Sequence, residues 1–300
     1  MNNKSGYLFA ILTALCWAVL AVALKYTVQH VSSGTIVWFR MFVALIGLAT
    51  IFLIVHPKQF KQTIKIPPLA YVAGLFLSAN YFGYMKGVEL TTASNTQIVI
   101  QTGPLLLVLI GIFYFKEKIK WYQILGLCIA LTGYSLFYWD QLLVSFNNLD
   151  QYLEGNSWIF MAAVTWAIYA SLQKIVAVNW TPQQINLAIY VTATIVLIPL
   201  ADFSEFQNLS PSLWVIMVFL GLNTLVAYGS LGEALKRIPS YQLSPIITLN
   251  PLLTLLIVDL LTLFQVSWYT PEPLNWRGYL GAFFVILGVI LTVTKFKKAK

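Results

Sequence analysis

The chain has 300 residues, of which 59% are hydrophobic and 9% are charged, and its formal net charge is +8. A soluble domain carries roughly 25% charged residues, so this composition excludes an ordinary soluble protein and indicates a membrane protein.

Ten apolar segments follow one another along the chain, each long enough to cross a bilayer. A crossing helix needs about 20 residues, because each residue adds 1.5 Å and the hydrocarbon core is roughly 30 Å thick. The segments are long and unbroken, unlike the alternating strands of a membrane β-barrel. We therefore predict an all-α membrane protein with ten transmembrane helices. The predicted spans are residues 6–28, 34–55, 67–87, 92–115, 120–139, 157–178, 183–201, 211–234, 241–264 and 275–295.

Positive charge concentrates in alternate loops. With the amino terminus in the cytoplasm, the inner segments hold 14 of the 18 Lys and Arg residues, and most acidic residues fall on the outer side. An excess of Lys and Arg marks cytoplasmic loops. We therefore predict that both termini are cytoplasmic. The net charge then reflects orientation in the membrane, and we predict no nucleic-acid partner.

The second half of the chain repeats the first. The matched pairs, at offsets of 149 or 147, are Trp17 and Trp166, Lys25 and Lys174, Tyr81 and Tyr228, and Pro104 and Pro251. Five spans per repeat is an odd number, so the second repeat enters the membrane from the opposite side. We predict two inverted five-helix repeats, 1–140 and 157–300, joined by an extracytoplasmic linker at 141–156. Transporters of this design hold their substrate at the repeat interface.

The chain resembles the drug/metabolite transporter superfamily, in particular its ten-helix members built from two EamA domains. The resemblance rests on Trp17 to Lys25, Trp38-Phe39-Arg40, the stretches 81–117 and 227–256, and the Gly-rich fifth and tenth spans. One departure is Phe264-Gln265, which stands where the family's second copy ends in Glu. The resemblance implies secondary transport of small metabolites, often export of amino acids or related compounds, across the bacterial inner membrane.

Three charged residues in or near the spans are candidates for function. Arg40 lies well inside the second span, where it either snorkels to the interface or faces inward to bind an anionic group. Asp259 has no opposite charge nearby in sequence, and an unpaired carboxylate there costs about 2.5–3.5 kcal/mol. Glu233 either pairs with Lys236 or Arg237 at helical spacing or carries a proton. We predict that Asp259 and Glu233 couple transport to protons.

Pro104 and Pro251 occupy matched positions in the middle of their spans. Proline removes a backbone hydrogen bond and kinks a helix. The kinks are either structural or hinges beside the site, and we predict hinges. Nearby polar residues should avoid lipid, and repeat-paired aromatic residues either line a cavity or form the interfacial belt. The predicted substrate-binding residues are Trp17, Arg40, Tyr81, Asn95, Gln101, Trp166, Tyr169, Tyr228, Ser244 and Asn250.

The sequence contains no motif for a cofactor, a metal or a covalent reaction. It has no phosphate-binding loop or dinucleotide fingerprint, and its Cys and His residues lack metal-ligand spacing. No nucleophile–base constellation suggests an enzyme. A channel-like facilitator or exchanger for sugars, nucleosides or other polar solutes is the alternative to alternating access. We expect a small-molecule substrate, the lipid bilayer as surroundings, and a monomer.

Overall fold

The computed structural model describes residues 3–91, 96, 98–140, 142–143, 149–264 and 275–294. Every regular element in these residues is a helix, which confirms the all-α prediction for the described part of the chain. The α-helices are α1 (Asn3–Thr27), α2 (Ser33–Val55), α3 (Pro57–Gln62), α4 (Pro68–Leu90), α5 (Thr102–Phe113), α6 (Trp121–Phe137), α7 (Leu149–Val176), α8 (Pro182–Val196), α9 (Pro211–Arg237), α10 (Ser240–Ile247), α11 (Asn250–Leu263) and α12 (Trp276–Val293).

Several of these helices match the thickness of a bilayer. The segments long and apolar enough to cross a membrane are Lys4–Leu24, Ser33–Val55, Leu153–Val176, Pro211–Arg237 and Trp276–Val293. Their large apolar side chains are exposed on the outside of the bundle, for example Leu8 and Ile54, as lipid contact requires. The membrane class predicted from composition is therefore confirmed.

Polar residues at the helix starts explain where two of the helices begin. The Thr181 hydroxyl accepts a hydrogen bond from the Gln184 N–H at 3.3 Å, and the Gln184 side chain accepts one from the Thr181 N–H at 3.2 Å. This capping box satisfies amide groups at the start of α8, which have no partner within the helix. Asn275 caps α12 by accepting from the Gly278 N–H at 3.0 Å.

The predicted span 241–264 is two helices rather than one. α10 ends at Ile247 and α11 begins at Asn250, so the break at residues 248–249 lies just before Asn250 and Pro251. A corresponding turn at residues 100–101 lies shortly before Pro104. Proline lacks the N–H that would continue the preceding turn, which explains both breaks. In addition, α7 begins at Leu149, inside the predicted linker.

Helices α6 and α12 approach each other through glycine. A Cβ atom on Gly126 would lie 2.8 Å from the carbonyl oxygen of Gly288, and one on Gly133 would lie 2.7 Å from that of Gly281. Only glycine allows this approach, and small residues at helix interfaces are typical of membrane bundles. Elsewhere α1 packs on α9, α4 packs on α7, and α2 packs between α8 and α9.

The two ends of the bundle differ in the helix ends that they carry. At one end, which we call the terminal face, the Tyr7 hydroxyl donates to the Gln242 side chain at 2.8 Å, joining the start of α1 to the start of α10. At the other end, the opposite face, the Ser32 hydroxyl in the α1–α2 connection donates to Glu205 at 2.9 Å. The candidate site lies between these faces.

Candidate functional site

A cavity of about 190 Å³ lies in the middle of the bundle and extends toward the opposite face. Its outer wall includes Val28 and Ser33, next to the α1–α2 connection, and its inner end includes Trp17 and Tyr228. The walls are mostly apolar. Seven helical regions contribute: α1, α2, α4, the α5 region, α7, α9 and the α10–α11 break.

Arg40 provides the positive charge of this cavity. Its side chain is 3% exposed, its Nε donates to the Thr224 hydroxyl at 3.0 Å, and one terminal nitrogen donates to the Tyr81 hydroxyl at 3.2 Å. Both partners are neutral, and none of the ion pairs formed by described residues includes Arg40. A buried charge is costly unless an opposite charge compensates it. The cavity is therefore suited to an anionic group.

Aromatic rings close the inner end of the cavity. Trp17 lies 6.2 Å from Trp166 and 6.1 Å from Tyr228, and Tyr81 lies 6.3 Å from Tyr228, measured between ring centroids. These are the edge and tilted contacts that aromatic pairs favour. The Tyr169 ring packs against the Tyr228 ring, with 5.9 Å between the ring centroids. Tyr169 is fully buried and does not line the cavity. The four upper rings form what we call the aromatic floor.

The two broken helices each bring one polar side chain to the cavity. Gln101 and Asn250 both line it, and the Asn250 side chain accepts a hydrogen bond from the Thr254 hydroxyl at 3.3 Å. Pro104 also lines the cavity, whereas Pro251 does not. The structure thus brings together residues that lie about 150 positions apart in the sequence. The roles of these residues in binding and as hinges stay predictions.

Ser244 lies in a different place from the other predicted site residues. It lines a second cavity of about 180 Å³ beside α6, which shares Gln101 and Pro104 with the central cavity as a common wall. The Ser244 hydroxyl is buried and has no partner among the described residues. Asn95 and the side chain of Asp259 lie outside what the structure describes. Their predicted roles stay predictions.

Glu233 forms the local ion pair that was the alternative to a proton-carrying role. Its carboxylate pairs with Arg237, four residues later on α9. This is the usual helical spacing for opposite charges.

Sequence reasoning predicted Tyr81 on α4 but missed three further cavity residues on that helix and one partner of Arg40. Asn80, Tyr84 and Met85 line the cavity beside Tyr81, and Asn80 also donates to the Ala162 carbonyl at 2.8 Å. Thr224 holds Arg40 from α9. Asn80 and Thr224 are polar residues within apolar spans, which was the available signal, because polar side chains in membrane helices face the bundle interior.

A polar cluster closes the terminal face below the floor. The Glu117 carboxylate accepts from the Lys174 ammonium, from the Ser240 N–H at 2.9 and 2.8 Å, and from the Ser240 hydroxyl at 3.1 Å. The Lys174 ammonium also donates to the Ser240 hydroxyl at 3.0 Å. We call Glu117, Lys174 and Ser240 the Glu117 cluster. It ties the segment after α5 to the end of α7 and the start of α10.

The turn after α5 places Glu117 in this cluster. Lys116 has a φ of 54°, a left-handed conformation that reverses the chain, and the Glu117 N–H then donates to the Gly111 carbonyl at 3.0 Å. Gly111 gives the carboxylate room, because a Cβ atom there would lie 2.7 Å from a Glu117 side-chain oxygen. Glu117 also satisfies the first amide of α10, as a capping anion does at the positive end of a helix dipole.

A helical membrane bundle with a central, positively charged cavity closed on one side is the arrangement of a small-molecule transporter. Comparison with known proteins agrees with this class. The EamA-like transporter family matches residues 4–139 and 153–294, and the chain belongs to that family.

Several transporters match this chain over nearly their whole length. An uncharacterized transporter of Haemophilus influenzae is 33% identical over 290 residues, covering 96% of this chain and 94% of the relative. The uncharacterized inner membrane transporter YhbE of Escherichia coli is 33% identical over 288 residues, covering 95% and 90%. A solved crystal structure has a TM-score of 0.78 at 18% identity and covers 97% of this chain and 98% of its own. That likeness concerns the fold alone.

Proposed function

We propose that this protein is a secondary transporter that exports small carboxylate-bearing metabolites, amino acids or related compounds, by alternating access. The observation that carries this proposal is Arg40. Its guanidinium is buried beside the cavity with only neutral hydroxyl partners among the described residues. A substrate carboxylate would supply the missing negative charge, and a guanidinium binds a carboxylate with two parallel hydrogen bonds.

The rest of the cavity suits the uncharged part of such a substrate. The aromatic floor offers ring faces to an apolar side chain, and Gln101 and Asn250 offer amide groups to a polar one. A distant relative supports this substrate class: a probable amino-acid metabolite efflux pump of Escherichia coli is 24% identical over 313 residues, covering 98% of this chain and 96% of the relative.

The architecture that we propose consists of ten spans in two inverted repeats, 1–140 and 157–300, in a bacterial inner membrane. Matched helix ends support the repeat: α1 and α7 end at Thr27 and Val176, and α2 and α8 begin at Ser33 and Pro182, both 149 residues apart. In the repeat, α1 corresponds to α7 and α9 corresponds to α4. The packing of α1 on α9 therefore corresponds to the packing of α7 on α4. The charge distribution favours cytoplasmic termini, so the opposite face would be extracytoplasmic. We propose a monomer.

The aromatic floor favours alternating access over a channel. A facilitator with a continuous pore needs an open polar path from face to face. Here Trp17, Trp166 and Tyr228 block the path beneath the cavity, and the Glu117 cluster closes the terminal face.

A thermal-shift screen of purified protein tests the substrate class. The probes are amino acids and their carboxamides, which match in shape but lack the negative charge. A ligand that binds the native state raises its melting temperature. We expect stabilisation by several free carboxylates and none by the matching carboxamides. Arg40→Gln should remove the difference, whereas equal stabilisation by both forms would contradict the proposal.

A separate measurement tests the orientation. A reporter fused after Lys300 should be cytoplasmic, and a tag inserted within 140–155 should be accessible from outside the cell. Detection of both on one side of the membrane would overturn the ten-span topology without affecting the carboxylate test.

A further inference from the structure

A group of buried polar side chains lies on the terminal side of the aromatic floor, where the central cavity does not reach. Gln173 and Asn186 are fully buried, the Gln173 amide donates to the Asn186 side chain at 2.7 Å, and the Asn186 amide donates to the Tyr228 carbonyl at 3.0 Å. Tyr169 lies on the same stretch of α7 as Gln173. We call Tyr169, Gln173 and Asn186 the amide cluster.

The amide cluster is incompletely satisfied. Across the described part of the chain, neither the Gln173 side-chain carbonyl nor the Tyr169 hydroxyl has a hydrogen-bond partner. A buried polar atom without a partner destabilises the state in which it is buried, and apolar residues of similar shape would avoid this cost. These side chains would gain hydration in a state that opened the terminal face to water.

The repeat indicates what these positions would line in a second conformation. The residues that match Tyr169, Gln173 and Asn186 at the offset of 149 are Leu20, Leu24 and Val37. All three counterparts line the open cavity on the opposite face. Gly232 lies against the Gln173 amide, and its counterpart at the offset of 147, Met85, lines the cavity as well. The amide cluster therefore occupies the positions that would line a cavity if the two halves exchanged conformations.

We propose that the amide cluster lines the second half of the transport route, which is closed here and opens to the terminal face when the Glu117 cluster separates. This inference rests on the proposed alternating access. Lys174 follows Gln173 directly on α7. An outward movement of this end of α7 would therefore break the Lys174–Glu117 pair and expose Gln173 at the same time. The ligand class is the same small metabolite, which on this side meets amide and hydroxyl groups. The position that matches Arg40 is Ile189, so the matched charge is missing here.

Cysteine labelling from the terminal side tests the proposal. Single cysteines at Gln173→Cys and Asn186→Cys are placed in a Cys16→Ser, Cys128→Ser background, and inverted membrane vesicles receive a charged, membrane-impermeant thiol reagent. Both sites should react slowly with the Glu117 cluster intact. Adding Glu117→Gln removes the ion pair and should accelerate both reactions by about tenfold or more, the effect of losing a hydrogen bond to a charged group.

Ala193→Cys is the matched control, because Ala193 is fully buried on the same helix as Asn186 but two turns farther from the terminal face. It should stay unreactive with and without Glu117→Gln. Unchanged labelling at both test sites, in protein that elutes as a single species, would overturn the inference. So would equal acceleration at Ala193→Cys, which would indicate general loosening.

The labelling result separates this inference from the proposed substrate class. Accelerated labelling supports the route even if carboxylates and carboxamides stabilise the protein equally. Carboxylate-specific stabilisation combined with unchanged labelling would keep the substrate class and remove the amide cluster from the route.

Discussion

The two faces of the bundle are built from matched sequence segments but are held differently. The opposite face leaves an open cavity with apolar walls such as Leu24 and Val37, whereas the terminal face buries their counterparts and is held by the Glu117 cluster. The matched position of Glu117 in the second half, at the offset of 147, is Phe264. Under the proposed alternating access, an ion pair that has no equivalent at that position would favour closure of the terminal face over closure of the opposite face.

The largest expected effect concerns Asp259 on α11, the helix that leads from the cavity toward the opposite face. If this carboxylate carries a proton, Asp259→Asn should abolish accumulation driven by a pH gradient, because the side chain no longer titrates. Exchange of substrate across the membrane without a gradient should persist. Transport in reconstituted vesicles measures both, and pH-driven uptake at the original level would exclude Asp259 from coupling.

A second variant removes the polar difference between the faces. Gln173→Leu combined with Asn186→Val gives the terminal side the residues of its counterparts, Leu24 and Val37. Transport should fall roughly 30-fold, the combined size of two ordinary hydrogen bonds. The melting temperature should hold or rise, because replacing both members of a buried polar pair by apolar groups is neutral or stabilising. A lower melting temperature with unchanged transport would indicate that the Gln173 and Asn186 side chains have a purely structural role.

A smaller effect is expected for the polar groups on the open side. Gln101→Ala and Asn250→Ala should each weaken substrate binding by about 0.5–1.5 kcal/mol, the net size of a neutral hydrogen bond. This corresponds to roughly a 2- to 12-fold rise in Kd. Ile195→Ala, on the exposed surface of α8, is a control that leaves the cavity unchanged. Equal Kd values for all three variants and the unmodified protein would place the binding site elsewhere.

The smallest effect on stability is expected at the contact between Glu205 and the α1–α2 connection. Glu205 accepts hydrogen bonds from the Ser32 N–H at 3.0 and 3.2 Å, but this contact is exposed. Glu205→Gln should lower the free energy of unfolding by about 0.5 kcal/mol or less, because water screens exposed charges. Thermal unfolding of both variants measures the difference. If Glu205→Gln lowered the stability as much as Glu117→Gln, the two faces would be stabilised equally by their carboxylates.

Repetition in the sequence was sufficient to predict much of what surrounds the cavity. Trp17 and Trp166, and likewise Tyr81 and Tyr228, are large residues at matched positions, and the structure places all four in one floor. Arg40 stood out because charge is rare within a span. Periodicity alone did not separate Ser244 from Gln101, since the face of a helix that meets a given cavity depends on how a broken helix is tilted.

Contacts between distant, individually ordinary residues could not be predicted. Glu117 and Lys174 each lie at the end of a predicted span, where a charged residue normally faces water and headgroups. Their pairing depends on the left-handed turn at Lys116 and on the space left by Gly111. Similarly, in the sequence Gln173 is an ordinary polar residue near a helix end. It is unusual only because the structure buries it with its side-chain oxygen lacking a hydrogen-bond partner among the described residues.

The glycine contact between α6 and α12 has a consequence for how the protein is made. Val293 is added to the growing chain 156 residues after Phe137, so at roughly 5–20 residues per second α6 waits about 8–30 s for its partner. During that interval Gly126 and Gly133 present bare backbone to lipid or to other helices. The packing of the first half of the chain is therefore incomplete until α12 has been inserted.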